Sequence, residues 1–201
     1  MTIEARAEEG LLALLESRRS AGGGLIGEPG PNEGQLRRLL TIAARAPDHG
    51  VLEPWRFIVI EGDARAQASE KLAECYLAEN AAMEPGKLQK FAAIMARVFT
   101  SSPVVVIVVS RTDGTAKIPV FEQELSAGAV CMNLLTAAHA MGFAANWVTG
   151  FAASSPRARK VLGAAEDEKI AGVIFIGTAK EKPADRKRPD VDAITTRWRN
   201  L

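Results

Sequence analysis

The chain is short of the side chains that hold metals. It has two cysteines, Cys75 and Cys131, and two histidines, His49 and His139. The cysteines lie far apart and form neither a metal-ligand nor a redox pair, and two lone histidines do not complete a zinc site, so no metal is expected. Such sparse cysteine suits the reducing cytoplasm. An excess of one charge is missing too. The 25 basic residues nearly cancel the 24 acidic ones, so no global field draws the protein to nucleic acid or an anionic membrane, and any anion it recognises should be small. No apolar run approaches the ~20 residues of a membrane span. The first residues, "MTIEARAEEGLLALLESRR", are acidic ahead of their apolar part, unlike a secretory signal, which leads to the expectation of a soluble, unprocessed protein. Neither "GxGxxG" nor "GxxxxGK[ST]" follows a strand, so the usual phosphate cradles of dinucleotide and triphosphate folds are absent.

What is present is a regular alternation of helical and strand patterns. Leu11, Leu12, Leu14 and Leu15 recur at helical spacing in an amphipathic helix expected over Ile3–Ser17. A second helix is expected from the Pro31–Asn32 start signal to a point before Pro47, with Leu36, Leu39, Leu40 and Ile42 on its apolar side. Strands are read at Trp55–Gly62, Pro103–Ser110 and Lys169–Ala179, and Gly142–Gly150 is read as strand and loop. Helices are read at Ala64–Asn80, Lys87–Phe99, Phe121–Met141 and from Ser155 or Pro156 to Gly163. "PVVVIVVS" is apolar at nearly every position, as a strand covered on both faces must be. The expected architecture is one α+β domain spanning 1–201, a central mixed, mainly antiparallel sheet flanked by helices, with 180–201 as an extended C-terminal arm.

Two segments invite a chemical reading. "LLESRRSAGGG" concentrates Arg18 and Arg19 where a helix gives way to glycine. Cations suit the negative end of a helix, and the same pair with Ser20 would supply fork-shaped donors and a hydroxyl to a phosphate; locally both readings stand. "ARAPDHGVLEPWRFIVIEG" gathers Arg45, Asp48, His49 and Trp55 around two prolines, either as a polar turn before a strand or as a site loop. On the long helix, the small residues Ser126, Ala127, Gly128 and Ala129 allow a flat ligand or another helix to come close. Glu122 and Glu124 are expected to face solvent or a basic neighbour.

Taken in order, "ESRRS", "ARAPDHG", "PWRFIVIEG", "EQELSAGAVCMNLLTAAHAMGF" and "NWVTG" followed by "IAGVIFIGT" resemble the FMN-dependent NAD(P)H nitroreductase family, and most nearly its compact YdjA-like branch. The resemblance runs from about Leu11 to Thr178. It implies a nitroreductase-like fold assembled as an intertwined homodimer with FMN sites shared between subunits. By the same resemblance Arg18, Arg19 and Ser20 hold the flavin phosphate and the nearby edge of the isoalloxazine, Arg45 and His49 reach the flavin bound mainly by the partner, and Trp147, Val148 and Thr149 run alongside the ring. Ala137, Ala138, His139, Ala140, Met141 and Gly142 match a segment assigned to nicotinamide nucleotide.

The chemistry so implied is that of an NAD(P)H-dependent oxidoreductase in which FMN carries the redox step and no catalytic side chain is required. NADH or NADPH reduces the flavin, after which a nitroaromatic, quinone or similar electron-poor acceptor reoxidises it, in a ping-pong cycle. The competing expectation is a flavin-binding or flavin-sensing module with negligible turnover. Two departures bear on the pocket. "AGGGLIGEPG" is richer in glycine than the resemblance leads one to expect, and Val148 stands where relatives can carry arginine. With aromatics at 5 % of the chain, few rings are available to stack an aromatic substrate.

Overall fold

The computed structural model describes residues 9–22 and 24–198. The first eight residues of the sequence, which include the start of the expected first helix at Ile3, and the last three lie outside them. The first helix, α1 (Glu9–Ser17), buries none of its residues, and Leu11, Leu12 and Leu15 remain over 40 % exposed. The second, α2 (Glu33–Ala43), starts where the sequence says it should. Asn32 accepts from the Gln35 N–H while the Gln35 side chain accepts from the Asn32 N–H, a reciprocal cap that stabilises the first turn by about 1 kcal/mol.

Between them lies β1 (Ile26–Gly27), a two-residue strand too short to leave a sequence pattern. It is followed in chain order by β2 (Trp55–Glu61), α3 (Ala64–Glu79), α4 (Pro85–Met95), β3 (Val104–Ser110), α5 (Val120–Ala140), β4 (Ala144–Val148), α6 (Gly150–Ser154), α7 (Pro156–Val161) and β5 (Lys169–Ala179). The helix expected over Lys87–Phe99 runs from Pro85 to Met95, starting two residues earlier and ending four sooner. The Glu84 carboxylate accepts from the Gly86 and Lys87 N–H groups, and Pro85 occupies the first turn, where its missing N–H costs nothing.

The strands form one sheet of order β1-β5-β3-β2, with β4 also on β5. Every pairing is antiparallel, so the mainly antiparallel sheet expected from sequence has no parallel component among the described residues. All seven residues of β3 are buried, and its alternation divides the core. Val104, Val106 and Val108 face α2 and α5, where Leu39, Val130, Leu134 and Ile174 pack. Val105, Ile107 and Val109 face the other layer, with Leu72 of α3, Phe99, Ala158 of α7 and Phe175. Packing is tight at Gly172 of β5, where a side chain would collide with the Trp147 indole of β4 and lie 2.8 Å from the Cys131 sulfur of α5.

After β5 the chain runs back as an extended arm. Lys180 N–H donates to Leu25 O, and the arm then reaches the arginines that follow α1. No described helix is long and apolar enough to cross a membrane.

Candidate functional site

Arg18 and Arg19 leave the end of α1 and meet the last turn of α5 and the C-terminal arm. Arg18 N–H closes the helix on Leu14 O, and Ala21 N–H pairs with Ala145 O of β4, so the segment is pinned at both ends. Together with His139, Gly142, Phe143 and Ala144, and with Glu181 to Pro183 above them, these arginines line a cleft of about 300 Å³.

The two guanidinium groups are used differently. Arg19 donates through Nη1 to Ala184 O and lies 3.6 Å from the Asp185 carboxylate, both on the arm. Arg18 has a buried Nη1 with no hydrogen-bond partner, and the same is true of His139 Nε2. An unpaired buried donor is costly unless a ligand supplies the acceptor. Burial, reinforced by the nearby Arg18 charge and opposed by a hydrogen bond to the Phe143 backbone, holds His139 below the ordinary imidazole range. Ser20, between Arg19 and Ala21, is exposed and does not line the cleft.

The second group of expected residues lies at the other end of α5. Arg45 and His49 sit on the exposed loop between α2 and β2. The loop is wound tightly: Val51 and Glu53 have φ of 54° and 47°, and the Asp48 carboxylate accepts from the Leu52 and Glu53 N–H groups. It is also tied to the start of α5, because Ser126 Oγ donates to Pro47 O and His49 Nδ1 lies 2.9 Å from Glu122 Oε2. Glu124 takes Lys169 as its basic neighbour. Glu122 and His139 are 17 positions apart on one helix, about 25 Å at 1.5 Å per residue.

The remaining residues are dispersed. Trp147 turns into the layer beneath α5 and donates its indole N–H to Ala171 O, whereas Val148, next on the strand, faces the opposite side and is 40 % exposed. Thr149 is exposed at the start of α6. The segment 137–142 is divided as well. Ala138 is fully buried in the core, Ala137, Ala140 and Met141 line a groove of about 780 Å³ between α1, α2 and α5, and only His139 and Gly142 reach the arginine cleft.

Ala184, Asp185 and Arg188, the last donating to Arg18 O, were not legible as site residues. The arm that carries them has no periodicity, and nothing local says where it docks. Among the described residues no cluster of His, Cys, Asp and Glu could hold a metal ion. The Cys131 thiol, pushed by burial up to about 12, is inert at neutral pH.

Comparison with known proteins identifies the family. The "Putative NAD(P)H nitroreductase YdjA" of Escherichia coli K12 is 36 % identical over 174 residues, covering 85 % of this chain and 89 % of that protein. A Haemophilus influenzae protein named "Putative NAD(P)H nitroreductase" is 35 % identical over 182 residues, 90 % of this chain and 94 % of its own. The crystal structure of a nitroreductase-like family protein from Bacillus cereus superposes with a TM-score of 0.80 at 20 % identity, covering 98 % of both chains. A nitroreductase with bound FMN from Bacteroides fragilis superposes at 0.71 with 19 % identity, over 94 % of this chain and 98 % of that one. The Nitroreductase family sequence model matches residues 15–178, and with these relatives it establishes that the chain belongs to the Nitroreductase family.

Proposed function

We propose that the protein is an FMN-dependent oxidoreductase that uses NADH or NADPH to reduce nitroaromatics, quinones or similar electron-poor acceptors. The observation that carries this reading is the buried, unpartnered Arg18 Nη1 beside Arg19 in a cleft of a nitroreductase-family chain. A phosphate monoester supplies the acceptor oxygens that such a guanidinium lacks, so the residues present fit FMN. Bound there, FMN supplies the hydride acceptor and donor of a ping-pong cycle, and no protein nucleophile is needed.

The chain's own residues bind and orient. Arg18 and Arg19 hold the phosphate, with Ser20 able to donate its hydroxyl. Gly22 and Gly24 let backbone pass close to the ligand. Val148, exposed on β4, offers an apolar contact where an arginine would offer charge. Arg45 and His49, at the far end of α5, serve the flavin held by a second copy, so a homodimer completes two shared sites. The exposed Leu11, Leu12 and Leu15 on α1 and Phe121, Leu125 and Met132 on α5 supply apolar surface for that association.

The test is spectroscopic. Protein purified without added flavin is expected to be yellow or to become so with FMN, to bleach on anaerobic addition of NADH or NADPH, and to be reoxidised by a nitroaromatic or a quinone. A yellow protein that fails to bleach is a flavin-binding module instead. Sedimentation of a stable, flavin-loaded monomer at micromolar concentration would sink the shared site.

A further inference from the structure

The segment 137–142 matched a stretch assigned to nicotinamide nucleotide, yet within it only His139 and Gly142 share the Arg18–Arg19 cleft. A cleft of about 300 Å³ does not suit two phosphate-bearing ligands at once. We propose that His139 is a ligand of the same phosphate monoester that Arg18 and Arg19 hold, donating through Nε2 in its protonated form.

Geometry carries the assignment. His139 Nε2 and Arg18 Nη1 are both buried and both without a partner, on side chains that line one cleft. The charged groups facing the ring are Arg18 and Arg19 from the segment after α1 and Glu181 and Lys182 from the arm. Just outside, Asp185 pairs with Arg19 and Arg188. With the cleft in this state Arg18 disfavours a second positive charge, and the ring is held neutral by burial and that charge. A dianionic phosphate reverses the local sign. The ring then takes a proton on Nε2 and donates it as a charge-assisted hydrogen bond. At pH 7 to 8, where the free phosphate is mostly dianionic, its binding is therefore coupled to uptake of up to one proton, a count that falls toward pH 6 as the phosphate brings its own proton.

The reading rests on the proposed flavin site but fails separately from it. The phosphate belongs either to FMN or to the 2′-phosphate of NADPH, and two experimental arms separate these sources. In the first, FMN and riboflavin are titrated into flavin-free protein by fluorescence quenching from pH 6 to 8, with calorimetry in buffers of different ionisation enthalpy to count protons. In the second, NADPH and NADH are titrated into flavin-loaded protein under anaerobic conditions.

If the phosphate is that of FMN, His139→Leu weakens FMN about tenfold and leaves riboflavin unchanged, the scale of one hydrogen bond to a charged group. His139→Gln keeps a donor without titrating. It retains FMN affinity within a few-fold, abolishes the proton uptake, and falls behind the natural protein as pH is lowered. If the same pattern appears only as a loss of preference for NADPH over NADH, the phosphate is the nucleotide's and the His139 assignment stands. FMN and NADPH affinities unchanged by His139→Leu, or proton uptake that survives in His139→Gln, would overturn it. Failure of the natural protein to bind either FMN or NADPH would overturn both this assignment and the oxidoreductase reading.

Discussion

Arg56 and Arg18 make an instructive pair, one at the start of β2 and the other at the end of α1. Arg56 donates through Nε and Nη2 to the Glu168 carboxylate at 2.7 and 2.5 Å, and through Nη2 to Gly163 O at 2.7 Å, fastening β2 to the turn that precedes β5. Glu168 completes the cluster by accepting from the Ala165 N–H. At Arg18 the chain supplies no acceptor for a buried Nη1. A guanidinium whose donors are met by its own chain fastens the fold, whereas one left short of an acceptor carries a desolvation cost, which the proposed phosphate would relieve.

The largest expected effect tests the first half of that contrast. Glu168→Gln leaves the Arg56 charge without its carboxylate, and urea denaturation at pH 7 should record a loss of about 3 kcal/mol. Arg18→Met, measured in the same way on flavin-free protein, should cost nothing or stabilise by up to about 1 kcal/mol, because it removes an unpaired buried donor. A comparable loss in both variants would break the distinction. Next comes binding: Arg18→Met should weaken FMN by about 30-fold in a fluorescence titration and hardly alter riboflavin, since the lost bond is to phosphate.

The two regions should also separate by pH in denaturation of flavin-free protein. Hydrogen bonding from Arg56, opposed by partial burial and aided by the Ala165 N–H, holds the Glu168 carboxyl below its ordinary 4.5. Its stabilisation is complete above that unfolded value and is lost as pH falls through the depressed folded one. His139 has the same sign at higher pH, because its folded value is also depressed. Its folded value lies below 6.5, so the unfolded chain binds the proton first and the native state loses stability as pH falls below about 6.5. Glu168→Gln should remove the lower step and His139→Gln the upper; a single shared transition would contradict both assignments.

The smallest effect concerns the arm. Asp185 is 77 % exposed and lies on Arg19 as an anion supplied by the chain itself. Asp185→Asn should tighten FMN by about two- to threefold, the scale of an exposed ion pair, with no change for riboflavin. Weaker binding would mean that the carboxylate orients Arg19 rather than competing for it.

The helices and long strands were legible because each carries its own signal. The Asn32 start signal, the apolar run of β3 and the proline-free, small-residue run of α5 act over a few residues, and the structure keeps them. What escaped was short or governed from afar. The strand at Ile26–Gly27 exists because β5 offers an edge, and α6 is a single turn between β4 and α7. For the site, "RRS" and "RAPDH" were visible as clusters, but their separation by the length of α5 was not. Trp147 and Val148 are neighbours in sequence and face opposite sides of the sheet, because strand side chains alternate.

By itself the sequence determined the class of protein: an α+β chain with paired arginines after a first helix and motifs in nitroreductase order. Only the tertiary structure decided which arginine is satisfied by its own chain and which keeps an unmet buried donor. Arg56 finds its carboxylate 112 residues away and Arg19 its arm carbonyl 165 residues away, while Arg18 Nη1 and His139 Nε2 find nothing. Whether a buried donor is satisfied depends on every segment that folds against it, and that sum is made in space rather than along the chain.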